Sequence, residues 1–148
     1  MRLHILFTVA ALTASLAIAA ERPSFAGNWS LDTAQSTGSV PEWSGMQVGQ
    51  NGRWFRMAET DKNGRQVKTF EGECRTDSRF HPVEGGQGGS ISCKWDGSTL
   101  VTQEHWGEND QNERTIRTML QPDGTLVQEI TAVGPGAGGS AHLVWRKH

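Results

Sequence analysis

The chain has 148 residues, with 14 Lys and Arg against 16 Asp and Glu, 18 Gly, six Trp and two Cys. A formal net charge of −2 gives no electrostatic basis for binding nucleic acid or an anionic membrane surface. The length fits one domain, and beyond residue 20 no stretch is apolar enough to form a membrane helix, so stable membrane insertion is not expected.

Arg2 supplies a positive start, and Ile5 to Ala19 form an apolar run broken only by Thr8, Thr13 and Ser15. The run is short for a spanning helix. Ala17 and Ala19 make the small-x-small pattern of a cleavage site after Ala19 or Ala20. Residues 1–20 therefore read as a cleavable signal peptide, and 21–148 as a periplasmic or secreted domain. The alternative is an uncleaved anchor, which the polar Glu21, Arg22 and Pro23 directly after the run disfavour. Cleavage removes fifteen apolar residues and leaves all six Trp in the mature part. Leu, Ile, Val and Phe then amount to about 16% of the mature chain, a level at which disorder competes with folding. The low net charge and the large rings favour a fold with a sparse, ring-built core.

Turn signals recur at even spacing: Asn51-Gly52, Lys62-Asn63-Gly64, Asp96-Gly97, Pro122-Asp123-Gly124 and the loop Gly134 to Gly139. Asn-Gly and Asp-Gly supply the positive φ that tight hairpins need. The segments between them predict strands near 25–31, 45–50, 53–59, 65–74, 90–95, 98–106, 113–120, 125–132 and 140–147, with a further short one near 79–83. Gly38 and Pro41 make 32–44 a loop with at most one helical turn. The glycine-rich stretch 84–90 precedes a strand rather than a helix, so it is a flexible loop and not a phosphate cradle.

Alternation assigns faces. Leu100, Thr102, Glu104 and Trp106 share one face, as do Ile116, Thr118 and Leu120; Leu126, Gln128 and Ile130; and Ala141, Leu143 and Trp145. Gln103, His105, Arg117, Glu129, His142 and Arg146 take the opposite faces, together with Val101, Val127 and Val144. The first set mixes apolar with polar residues, which fits a barrel with a wet or ligand-filled interior better than a dry sandwich core. The fold class expected is all-β, an antiparallel up-and-down meander barrel of eight to ten strands.

Two cysteines in an exported chain read as one disulfide, Cys74 to Cys93. A redox or metal role has less support, because there is no CxxC and no histidine close in sequence to either. His81, His105, His142 and His148 are not at metal-ligand spacing, so neither metal nor cofactor is expected. Glu104 is the inward carboxylate. It has three readings: an ion pair with Arg56 or Arg114, a ligand anchor, or an acid of raised pKa.

The first strand, Phe25-Ala26-Gly27-Asn28-Trp29-Ser30-Leu31, resembles the opening strand of the lipocalins and fatty-acid-binding proteins, the calycin group. The resemblance implies that Trp29 plugs the closed end of the barrel and that Gly27 permits tight packing there. Leu143-Val144-Trp145-Arg146-Lys147 resembles the closing strand, where a late arginine packs over the plug. That assigns the place to Arg146, with cation–π contact as its physical basis. Phe-x-Gly-x-Trp-x-Leu-Asp followed by Ser36 also resembles small exported bacterial proteins of lipocalin-like type. Gly38 and Pro41 leave no room for the helical lid of fatty-acid-binding proteins, and Leu143 stands where their carboxylate-binding arginine is expected. Ala26-Gly27-x-Trp29-x-Leu31 is also similar to the first strand of small periplasmic protease inhibitors, for which Glu21 to Ser24 would be the inserted segment.

The leading expectation is a binding protein for a small apolar molecule or lipid. Phe55, Met57, Trp106, Leu126, Ile130 and Leu143 would form the wall, with Glu104 and Gln128 as polar groups. The alternatives are a module that binds an envelope protease and a barrel enzyme built on Glu104.

Overall fold

Short runs of β-forming residues between glycine turns close hairpin after hairpin, and the chain folds as the meander this pattern predicts. A computed structural model describes residues 21–66, 73–83 and 88–148. The expected signal peptide at residues 1–20, residues 67–72 of the expected fourth strand and residues 84–87 of the glycine-rich loop lie outside these. The strands are β1 (Gly27–Leu31), β2 (Thr37–Gly38), β3 (Gly45–Asn51), β4 (Trp54–Thr60), β5 (Glu73–Arg75), β6 (His81–Pro82), β7 (Gly89–Asp96), β8 (Thr99–Trp106), β9 (Asn112–Leu120), β10 (Leu126–Val133) and β11 (Ala141–Lys147). Two elements have no counterpart in the sequence reading: the two-residue β2 inside the 32–44 loop and a single 3-10 turn at Glu108–Asp110 between β8 and β9.

All pairings are antiparallel, in the order β5-β4-β3-β1-β11-β10-β9-β8-β7-β6, with β2 attached to β11. The ten-strand path curls until β5 lies against β7, and a disulfide between Cys74 and Cys93 joins them. The result is a nearly closed up-and-down barrel whose seam is a covalent bond rather than a backbone ladder.

The interior is laid down in cross-strand rows. Leu100, Thr118, Gln128 and Leu143 are successive partners across β8 to β11, and Thr102, Ile116, Ile130 and Ala141 form the next row. One end is filled by Phe25, Phe55 and Trp95, whose ring centroids lie 5.6–6.1 Å apart. Such ring pairs contribute about 0.5–1.5 kcal/mol each beyond their area burial. Trp29 is buried beside them and donates its indole N–H to the Phe25 carbonyl at 2.9 Å.

The residue over the Trp29 plug is Lys147, not Arg146. In the β1–β11 register Trp29 stands opposite Lys147, whose Nζ lies 5.6 Å from the ring centroid. Arg146 points to the other face and binds the Asp32 carboxylate at 2.7 Å. The Lys147 stem crosses Gly27: a Cβ at Gly27 would sit 2.9 Å from its Cε, and φ there is +139°. Gly27 therefore meets the expectation of close packing, but beneath a lysine.

One further expectation needs correction. Leu120 is on the predicted face but exposed, because it ends β9 beyond the filled core. Val101, Val127 and Val144 point outward yet are buried. Val127 and Val144 are paired with each other across β10 and β11.

Candidate binding site

The other half of the barrel contains a cavity of about 60 Å3. Strand alternation turns Phe55 and Met57 on β4, Ile91 on β7, Ile116 on β9, Ile130 on β10 and Leu143 on β11 toward it, and Trp43 from the 32–44 loop completes the lining. Thr102, Glu104, Arg114, Gln128 and Glu59 supply the polar part of the wall.

The strongest polar feature is the pair of Glu104 and Arg114. They are direct partners on β8 and β9. Arg114 Nε donates to Glu104 Oε2 at 2.6 Å, and its Nη2 reaches the same oxygen at 2.5 Å. Glu104 is buried, whereas Arg114 keeps partial exposure. Burial pushes the Glu104 carboxyl above its usual range, against the opposing pull of the Arg114 charge and hydrogen bond. Of the two arginines considered as partner for Glu104, Arg56 lies on the outer, exposed face of β4. Arg114 also lies over Trp106, with its Cζ 5.6 Å from the ring centroid.

Other polar groups near the cavity have internal tasks. The amide oxygen of Gln128 accepts the Trp145 indole N–H at 2.9 Å, which satisfies a buried donor in the core. Thr102 Oγ1 lies 3.4 Å from Cys93 Sγ. The indole N–H of Trp43 is buried without a hydrogen-bond partner among the described residues.

Six of the eight expected ligand-contacting residues meet at the cavity: Phe55, Met57, Glu104, Gln128, Ile130 and Leu143. Leu126 does not reach it; it is fully buried among the residues of the filled end, where it pairs with Trp145. Trp106 does not line it either, and sits half-buried at the end of β8 against Arg114. Trp43 was missed because a lone tryptophan in an aperiodic loop carries no facing signal. Ile116 was assigned inward by alternation but not recognised as lining.

The histidines sit outside this site. His81 meets Asp77, His142 meets Glu129 and His105 lies near Glu113, all at partly exposed positions. Among the described residues no group of three His, Cys, Asp or Glu side chains has metal-binding geometry. No helix among them is long and apolar enough to cross a membrane. No protein-family model matches the chain, and no curated protein matches it significantly.

Proposed function

We propose that this is an exported, lipocalin-like binding protein that takes a small, largely apolar ligand into the barrel, with the ligand's polar end at Glu104 and Arg114. The observation that supports this most is the ion pair on an otherwise mainly apolar cavity wall. Taking a carboxylate out of water costs several kcal/mol, and one partly exposed arginine offsets that cost incompletely. A ligand hydroxyl, amide or carboxyl would add the missing hydrogen bonds. A disulfide at the barrel seam and the export signal read from the sequence fit a periplasmic or secreted location.

The cavity volume limits the ligand. About 60 Å3 accommodates a few waters or the end of a small molecule, well below the roughly 300–1,000 Å3 of drug-sized sites. A larger guest would require Trp43 to move with its loop. The protease-inhibitor reading is less favoured, because the segment it needs is tied down. Gln50 holds Pro23 O and Phe25 N–H at 3.1 and 2.7 Å, and Arg22 lies over Trp95.

Extraction of the purified protein with organic solvent, followed by mass spectrometry, should recover a stoichiometric small molecule. A medium-chain fatty alcohol should change tryptophan emission saturably. Ile116→Trp, which fills the cavity, should abolish both signals while circular dichroism stays barrel-like. An empty extract together with unchanged emission would refute the proposal.

A further inference from the structure

A second concavity lies outside the barrel. A groove of about 560 Å3 runs along the outer wall at the filled end, lined by Arg22, Arg53, Trp54, Arg75, Glu73 and Asp77, with Thr76 at its base. Its volume falls in the range typical of small-molecule sites, whereas the interior cavity does not reach it.

Three observations give the groove a chemistry. The first is charge. Among the described residues, none of the Arg22, Arg53 and Arg75 guanidinium groups is in an ion pair with a carboxylate. Asp77 is engaged by His81 at 2.9 Å and by the Arg79 N–H at 3.0 Å. Glu73 stands opposite Arg56 in the β4–β5 ladder. The groove thus holds three guanidinium groups against one carboxylate that the His81 contact does not occupy.

The second observation is the flat surface. Trp54 is half-buried on the outer face of β4 and rests over Gly49, where a Cβ would lie 3.6 Å from its ring. It is the direct cross-strand partner of Arg75, so indole and guanidinium rise side by side from the same face. The third is rigidity. The Arg53 carbonyl accepts the Thr76 N–H at 2.8 Å and the Thr76 hydroxyl at 3.3 Å, which fixes the β3–β4 turn onto β5. Arg22 is held over Trp95, its Cζ 5.7 Å from the ring centroid.

We infer that this groove binds a small phosphate monoester, or a similar dianion, that carries a flat ring. Arg53 and Arg75 hold the oxyanion through charge-assisted, fork-shaped hydrogen bonds. The ring stacks on Trp54, and Arg22 closes the far side with a third positive charge. This site is independent of the barrel cavity and of its proposed ligand.

Isothermal titration calorimetry on the purified protein at low salt tests it with three probes: adenosine 5′-monophosphate, adenosine and inorganic phosphate. The monophosphate should bind at least about tenfold more tightly than either fragment. Arg75→Gln should weaken it by about tenfold or more, and Trp54→Ala should reduce it to the affinity of inorganic phosphate. Lys62→Gln, at an exposed position in the turn after β4, should leave it unchanged. The comparison of three probes on the unsubstituted protein stands even if a variant misfolds. The inference is overturned if the monophosphate shows no saturable binding, if a fragment binds as well as the whole, or if folded Arg75→Gln binds as the parent does.

Discussion

Glu104 and Arg114 face each other across β8 and β9, and both Nε and Nη2 of the arginine converge on a single carboxylate oxygen, Oε2. Burial dominates the carboxyl's titration and raises its pKa in spite of the arginine. A carboxyl that binds its proton more tightly folded than unfolded contributes stability that is full below the ordinary carboxylate pKa. That contribution declines as pH rises through the raised folded value. Glu104→Gln mimics the protonated form, so its stability relative to the parent should climb as pH rises above the ordinary carboxylate range, about pH 4 and upward. Urea denaturation across that range reads the difference directly. A flat or falling difference would show that Arg114 outweighs burial.

The Cys74–Cys93 bond encloses a loop with a sequence separation of 19. In the chain-entropy model such a cross-link is worth about 3 kcal/mol. The double variant Cys74→Ser, Cys93→Ser should therefore lose about 2–4 kcal/mol in equilibrium unfolding. A loss below about 1 kcal/mol would mean that the strand contacts alone hold the seam.

Ser36 connects the 32–44 loop to the barrel. Its hydroxyl donates to the Asp32 carbonyl at 2.7 Å and accepts the buried Val144 N–H at 3.0 Å. Ser36→Ala strands that N–H and should cost about 1–3 kcal/mol. Hydrogen exchange at the Val144 amide should accelerate at the same time, and an unchanged amide would count against this role.

Thr118 presents the opposite case. It is fully buried between Leu100 and Gln128 in the inner row, and its hydroxyl has no hydrogen-bond partner among the described residues. Thr118→Val keeps the shape and removes the orphan hydroxyl, so it should stabilise the barrel by about 1 kcal/mol. Destabilisation measured by thermal unfolding would imply a partner for Oγ1 in solution.

Much of this architecture can be read from turn chemistry and period-two alternation, because each hairpin is a local decision. Asn51-Gly52 and Asp96-Gly97 end their strands where expected, and the inward rows through Leu100, Gln128 and Leu143 follow from alternation alone. The details that differ depend on what alternation does not encode. Whether Arg146 or Lys147 covers Trp29 is set by the β1–β11 register, a contact between the two ends of the chain. Leu126 and Leu143 share a predicted face, but depth along the barrel sends one into the filled end and the other to the cavity. The groove around Trp54 was not legible, since its arginines come from an N-terminal segment, a turn and a strand that only the closed barrel assembles.

The covalent seam also bears on how copies of the chain meet. A sheet that ends in hydrogen-bonding strands offers its bare backbone as a template for other chains. Here β5, one margin of the ribbon, is tied by one sulfur–sulfur bond to β7, the strand beside the short opposite margin β6. Reduction would uncouple them and present two pairing edges at once. Self-association should then begin at a reducing potential that leaves the rest of the barrel folded, which makes the redox state of the compartment a control on solubility as well as on stability.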